Sequence, residues 1–356
     1  MQIQNNLRLN LMVDKFIRNI EMEQIGDLNG LVVTYASDDG FAHVMGVSLI
    51  SLFENNQEAN EIIVFILDDQ ISTANKRKII SIFNKYGRKY WFIDVVQLNV
   101  PNTVISNRWS KSAFTRLYMS NLLPKNVSRV LYLDCDTVIN RSLIDLWSIN
   151  MHHKVFAGVS DCLSDGYKIN LGMSIDSPYI NSGVLLINLN EFRKSNCEAK
   201  ISEFMQQYSK VISYPDQDVI NGIFEGNIVI LEPVYDSMTI FYDFTYKDML
   251  KYRKPNFYYT KEQIEVAVTD PYIIHYTSCF LSVRPWMKDS KHPQLNKYLK
   301  YKKLSPWSDK ELTKDNRGLI TKAYSKLFRM LPSTFSVGIS GWLHASLLPW
   351  FRARRI

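Results

Sequence analysis

The chain reads as an α/β protein built on a mostly parallel sheet. Short apolar runs of strand length alternate with longer segments of helical period over the first two-thirds of the sequence, the rhythm of βαβ units. Several of those runs, such as LVVTYA and EIIVFIL, are nearly continuous in apolar residues, as strands covered on both faces must be. Polar and acidic residues follow them directly, in the place where open α/β sheets collect ligand-binding groups. The 356 residues suit one large domain with appendages or two modest ones.

Taken in order, Leu31 to Ala36 (LVVTYA) predicts the first strand, followed by SDDG and the helix HVMGVSLISLFENN. EIIVFILDD is the second strand, STANKRKIISIFNKYG a helix, and YWFIDVVQL the third strand. SKSAFTRLYMSNLLP predicts a helix stopped at Pro124, and VSRVLYLDCD the next strand. VFAGVSD and SGVLLINL follow as strands, with NEFRKSNCEAKISEFMQQYS as a helix. The start YPDQDVINGIF places Asp216 near the positive end of a helix dipole. Finally YIIHYTS predicts a strand over Tyr272 to Ser278. Repeats and low-complexity tracts are not seen.

Lys and Arg outnumber Asp and Glu by 42 to 35, which favours an anionic partner. The basic residues gather towards the end of the chain and no nucleic-acid motif accompanies them, so nucleic acid is not expected as that partner. Cys135, Cys162, Cys197 and Cys279 lack metal-ligand or disulfide-framework spacing, which points to a reducing compartment. Acidic residues interrupt the first thirty positions, so no signal peptide is expected, and no apolar run reaches spanning length. The expectation is a cytoplasmic protein, associated peripherally with a membrane. After His292 the sequence turns basic and aromatic. LITKAYSKLFRML puts Leu319, Ile320, Ala323, Tyr324, Leu327, Phe328 and Leu331 on one helical stripe, and FSVGISGWLHASLLPWF runs into RARR. Such a segment suits the headgroup region of an anionic membrane. The plainer reading is a helix packed on the main domain. The expected division is an extension over 1–30, a catalytic domain over 31–293 and a basic amphipathic extension over 294–356.

The chemistry centres on VLYLDCDTVI. An apolar strand feeds into Asp134 and Asp136, whose side chains, two apart in an extended chain, would share a face. Two such carboxylates repel unless a positive charge lies between them. A hard divalent cation such as Mg²⁺ or Mn²⁺ would answer that, with open positions for substrate phosphates. A nucleoside diphosphate sugar offers those oxygens. YASDDG follows the first strand, where a base and ribose would sit; Asn181, Ser182 and Gly183 open another; Asp216 and Gln217 open a helix. His275 closes an apolar run and offers a third metal ligand. Each has a plain alternative: a strand-end turn for the Asp pair, backbone satisfaction for Asn181, a helix cap for Asp216, and a surface charge for Arg116.

LYLDCDTVI, YINSGVLLINL, the PDQDVIN segment, and His275 followed by Arg284-Pro285-Trp286, in that order over Leu31 to Pro293, resemble glycosyltransferase family 8. Ser305-Pro306-Trp307 resembles the extension of the bacterial lipopolysaccharide core glucosyl- and galactosyltransferases. The resemblance implies the GT-A nucleotide-sugar transferase fold, with a Rossmann-like sheet, and retaining transfer of glucose or galactose from a UDP-sugar to a lipopolysaccharide core acceptor at the inner membrane. It implies Asp134, Asp136 and His275 as metal ligands. Ala36, Asp38, Asp39, Gly40, Phe41 and His43 would line the uridine site, with Cys135 contacting it through backbone. Arg116 would meet the diphosphate or donor sugar, and Asp161, Asn181, Asp216 and Gln217 would bracket that sugar. The Gln217 carbonyl would face the anomeric carbon, with Asp161 and Asp216 as further catalytic candidates.

Two features depart from the family pattern. His-x-x-Gly-x-x-Lys-Pro-Trp is replaced by HYTSCFLSVRPW, with Ser278 at the Gly position and Arg284 for Lys, and Gly40 stands where a side chain often contacts the nucleotide. Arg binds phosphate, but not with the geometry of Lys. Front-face attack is the expected mechanism, while double displacement through Asp161, Asp216 or another carboxylate stays open. Two other readings compete. A haloacid dehalogenase-type phosphatase would use Asp134 as nucleophile and Asp136 as acid/base, but three βα units precede the motif here. A carbohydrate- or membrane-binding protein on an inactive transferase fold would leave Asp134, Asp136, His275 and Gln217 without work.

Overall fold

The computed structural model describes residues 30–96, 114–195 and 197–354. The expected N-terminal extension lies outside them save Gly30, as do the end of YWFIDVVQL and the start of the SKSAFTR segment.

The principal strands are β1 (Leu31–Asp38), β2 (Ile62–Asp69), β3 (Lys89–Asp94), β4 (Arg129–Leu133), β6 (Phe156–Ser160), β7 (Ile180–Asn188) and β8 (Ile228–Leu231). They form one sheet in the order β3-β2-β1-β4-β7-β6-β8. All pairings are parallel except those of β7, which runs antiparallel to both β4 and β6. The predicted α/β architecture is therefore present, with a single reversed strand in its interior. β1 extends two residues past the predicted LVVTYA, because Ser37 and Asp38 pair with Asp68 and Asp69 of β2.

Alternate residues enter cores on opposite faces. Val33, Leu131, Leu133, Val184 and Leu186 pack on one side, and Val32, Val130, Tyr132, Leu185 and Ile187 on the other. Both faces are apolar, which is why these strands read as unbroken runs. Chain order reverses between β1 and β4, so their carboxyl ends flank the switch-point crevice where such sheets bind ligands.

A second, smaller sheet decides the site. It joins β5 (Thr137–Ile139), β10 (Ile273–His275) and β9 (Ser237–Met238) in the order β5-β10-β9. The strand expected over Tyr272 to Ser278 is confined to these three residues, and its antiparallel register sets His275 opposite Thr137. Sequence spacing put Asp134 and Asp136 on one face of an extended strand. Instead β4 ends at Leu133 and both acids lie in the turn to β5. That turn, closed by Thr137 Oγ1 donating to the Asp134 carbonyl at 2.8 Å, is what points them together.

The C-terminal segment is part of the same body. Tyr298, Tyr301 and Trp307 are buried in the core, and Asn55 donates to the Tyr301 hydroxyl at 2.7 Å. Helix Leu319–Met330 turns Tyr324 and Phe328 onto Phe280. Helix Ser333–Trp342 lies on helix Tyr246–Arg253 so closely that a Cβ on Gly341 would stand 2.6 Å from the Lys251 carbonyl.

Candidate active site

A cleft of about 310 Å³ opens over the carboxyl ends of β4 and β6. Among the predicted residues, Arg116, Asp134, Asp136, Asp161, Asn181, Asp216, Gln217, His275, Ser278 and Arg284 all line it. One oxygen from each of Asp134 and Asp136 and one nitrogen of His275 lie within 4.8 Å of one another. His275 Nε2 stands 3.2 Å from Asp136 and 3.7 Å from Asp134.

Behind the imidazole, Nδ1 meets Asp236 Oδ1 at 2.8 Å, and Asp236 is fully buried. This contact puts the ring proton on Nδ1 and turns Nε2 to the two front carboxylates. Burial opposes a charge on His275, but Asp236 and then Asp136 outweigh it and hold its pKa well above the ordinary value. Burial likewise works against ionised Asp136, yet His275 and Arg284 keep its pKa below normal. A cation bound here would take the place of the Nε2 proton between the two carboxylates. Two carboxylates with one imidazole form a donor set that suits Mn²⁺ or Mg²⁺.

The other acids are held from behind. Arg116 is buried, reaching Asp134 at 2.7 Å and Asp216 at 3.1 Å while its guanidinium lies 4.4 Å over the Tyr132 ring. Sequence reading gave Arg116 to the donor; in the structure it lines the cleft and also bridges two carboxylates. Tyr132 also donates to Asp134 at 2.9 Å. Asp216, in the first turn of helix Pro215–Ile223, accepts from Ser182 Oγ at 2.7 Å. Gln217 is fixed at both ends of its amide. Its oxygen accepts from Asn181 Nδ2 at 3.1 Å and Ser182 N at 3.2 Å, and its nitrogen donates to Asp161 at 2.9 Å.

Arg284 reaches Asp136 at 3.4 Å and donates to Ser278 Oγ, so the two substituted positions of the HYTSCFLSVRPW stretch touch each other. Trp286 stacks 5.2 Å from the Arg284 guanidinium and meets Phe41 edge-on at 5.9 Å. Trp286 and Trp307 are buried packing residues.

Ala36, Asp38, Asp39, Gly40, Phe41, His43 and Cys135 lie outside the cleft lining, grouped beside it at the end of β1. Cys135 Sγ donates to the Ala36 carbonyl at 3.1 Å, which ties this group to the Asp134–Asp136 turn. Asp38 accepts from Phe41 N at 2.9 Å. Asp39 accepts from Ser72 N at 2.8 Å and Asn75 Nδ2 at 2.7 Å, and the Ser72 bonds lead in lowering its pKa. His43 is 3.1 Å from Lys310; burial, then that charge, brings its pKa down to about 4.

Sequence reading missed Asp236 and Tyr132, and also Tyr214 and Arg253, which line the cleft. Tyr132 had a signal, since it lies two residues before Asp134. Asp236, in EPVYDSM, and Arg253, in the basic run KYRK, had none.

Residues 32–290 match the family described as Glycosyl transferase family 8. The lipopolysaccharide 1,2-glucosyltransferase of Escherichia coli K12 is 27% identical over 286 residues, 78% of this chain and 79% of that protein. General stress protein A of Bacillus subtilis is 24% identical over 279 residues, 78% of this chain and 94% of that protein. The crystal structure of the galactosyltransferase LgtC with donor and acceptor sugar analogues superposes with a TM-score of 0.65 at 24% identity. It covers 78% of this chain and 99% of that one, and shows the shared fold. With the sheet, the crevice and the motif order in agreement, this chain belongs to glycosyltransferase family 8 and has the GT-A fold.

Proposed function

We propose that the protein is a metal-dependent, retaining hexosyltransferase that moves glucose or galactose from a UDP-sugar to a hydroxyl of a lipopolysaccharide core. The observation that carries this reading is the convergence of Asp134, Asp136 and His275 at one end of a cleft whose other walls are Gln217, Asp161 and Asn181. The lipopolysaccharide glucosyltransferase relative supports the acceptor class. Residues 31–293 form the catalytic unit in this reading, and 294–356 the extension.

Asp134, Asp136 and His275 would hold a divalent cation, which supplies charge stabilisation for the departing diphosphate. Arg284, one ion pair away, adds a guanidinium to the same oxygens. Uridine lies along the end of β1, between Asp38–His43 and the Cys135 backbone. Asn181, Asp161 and Asp216 bracket the donor hexose, and Gln217 lies beside its anomeric carbon. Asp216 already accepts from Arg116 and Ser182, which makes it a poor nucleophile, and Asp161 is engaged by Gln217. That favours front-face attack: the acceptor oxygen bonds to the anomeric carbon as the bond to the diphosphate breaks, and the acceptor proton passes to the leaving oxygen.

The reading is tested by measuring UDP release from a panel of UDP-sugars with Mn²⁺ or Mg²⁺, with and without a truncated core acceptor. Release with one donor, abolished by chelator, is expected; silence throughout, with acceptor present, would sink it. Asp236 gives an independent check. Asp236→Ala removes the acceptor for His275 Nδ1 and is expected to weaken Mn²⁺ binding about 10–100-fold by calorimetry. Asp236→Asn, which keeps an accepting oxygen, should recover part of that. Wild-type affinity in the Ala variant would refute the role.

The extension is proposed to lie on the cytoplasmic face of an anionic inner membrane. Among the described residues no helix is long and apolar enough to cross a bilayer. Yet Leu319, Ile320, Leu327, Met330, Phe335, Ile339, Trp342, Trp350 and Phe351 all remain exposed, beside Lys326 and Arg354. Patches of this size on a lone chain mark an interaction surface. The protein should bind phosphatidylglycerol vesicles, release them at high salt, and lose at least tenfold in affinity on Ile320→Glu with Leu327→Glu. Equal, salt-insensitive binding to phosphatidylcholine vesicles would exclude an anionic-surface role.

A further inference from the structure

Three guanidinium groups line the cleft, and two are bound to carboxylates: Arg116 to Asp134 and Asp216, and Arg284 to Asp136. Arg253, the last residue of helix Tyr246–Arg253, makes no ion pair among the described residues. Its hydrogen bond is with a neutral group: Nη1 donates to His344 Nε2 at 3.0 Å. His344 is gripped between the rings of Tyr167 and Tyr252, at 5.6 and 5.0 Å, and burial, then the charges of Arg253 and Arg352, hold it far below its ordinary pKa. Arg253 Nε is buried without a partner. Asp161 is near enough to favour its charge but forms no salt bridge with it.

A guanidinium held in this way, partly desolvated and with no carboxylate bound to it, is costly unless an anion completes it. Its planar fork matches a phosphate or carboxylate. The lining of the cleft suggests the anion's place. Arg284, Asp136 and His275 form the proposed diphosphate end, Gln217 donates to Asp161 at 2.9 Å, and Arg253 lines the same cleft near Asp161. A donor whose diphosphate sits on the first group and whose hexose reaches the second leaves Arg253 to the acceptor.

We propose that Arg253 is an anion subsite on the acceptor side, taking a phosphate or carboxylate carried by the acceptor sugar, with His344 of the C-terminal extension holding the guanidinium in position. This rests on the transferase reading and adds a substrate requirement to it. It also links the extension to the cleft: the segment that would meet the membrane carries the support for the residue that reads the acceptor.

The test compares three acceptors: a phosphorylated core oligosaccharide, the same after hydrofluoric-acid dephosphorylation, and the same after carboxyl reduction. The wild-type protein should prefer the intact oligosaccharide by about ten- to a hundred-fold in kcat/KM over one of the two treated forms, and which one identifies the anion. Arg253→Gln should bring that ratio close to one through the acceptor KM, with the KM for the UDP-sugar little moved, and Arg253→Lys should keep part of it. Melting curves of both variants report folding. Equal use of all three acceptors by the wild type overturns the subsite, as does a uniform loss in Arg253→Gln that Lys shares. A rise confined to the donor KM overturns its acceptor placement. UDP release by the wild type without acceptor is scored separately, so failure of the transferase reading is distinguishable from failure of the subsite.

Discussion

Asp136→Ala should lower metal-dependent UDP release by about 10²–10³-fold and remove measurable Mn²⁺ binding. Asp136 is the residue at which the Asp134–Asp136–His275 cluster meets Arg284. One oxygen is 3.2 Å from His275 Nε2, and the other is 3.4 Å from Arg284. Only 9% of the residue is exposed, so water does little to replace a lost oxygen. Truncation therefore removes a ligand and frees Arg284 from its anchor in one change. Asp134→Ala differs, because it also strips Arg116 and Tyr132 of their shared acceptor and so mixes folding with function. Asp136→Asn separates charge from shape: it keeps the volume and an accepting oxygen but halves the negative charge of the pair. Its Mn²⁺ affinity should fall between wild type and Ala. Electron paramagnetic resonance of free Mn²⁺ measures all three without turnover. Unchanged Mn²⁺ affinity in Asp136→Ala would place the cation elsewhere and end the proposed mechanism.

What could be read from the sequence was the chemistry that local order carries. β1, β2, β4 and β7 are legible because strands covered on both faces need apolar residues at every position. Asp134, Asp136, Asn181, Gln217 and His275 are legible because each stands at an element's edge beside an apolar run. The same strand property hides orientation: with both faces apolar, no alternation says which residues share a side, and the Asp pair was assigned to an extended strand when a turn holds it. Arg116 was legible as a cation but not as a strut, since Asp216 is a hundred residues further along the chain. Asp236 was invisible because its contact with His275 exists only through the small β5-β10-β9 sheet, whose strands are two or three residues long. Arg253 sits in a run of charges that normally marks a solvated helix end, and its partner His344 comes from the C-terminal helices ninety-one residues further on.

Gly183→Ala should damage the site more than the fold. A Cβ at 183 would lie 2.1 Å from His275 Cε1, 2.8 Å from Asp134 Oδ2 and 2.9 Å from His275 Nδ1, closer than any such contact tolerates. The neighbours have little freedom to retreat. His275 is tied to Asp236 at its far nitrogen and to β5 through its backbone. Asp134 is held by Arg116 and Tyr132, and its N–H donates to the Gly183 carbonyl at 2.7 Å. The glycine itself is fixed by its N–H to Asn181 Oδ1 at 2.8 Å. An added methyl thus has to displace the imidazole or the carboxylate. Overpacking of this kind costs about 1–3 kcal/mol of stability, a loss that a core covering both faces of the sheet can absorb. The geometry that brings three donor atoms within 4.8 Å has no such reserve. Urea unfolding should therefore show a folded, cooperative protein with a lowered midpoint, while calorimetry shows Mn²⁺ affinity reduced by at least a hundredfold. Ser182→Ala, one residue away, removes only the bond to Asp216 and should leave Mn²⁺ affinity within a few fold of wild type. If Gly183→Ala loses stability yet binds Mn²⁺ as tightly as wild type, then the imidazole can move without consequence, and His275 is a structural histidine instead of a ligand.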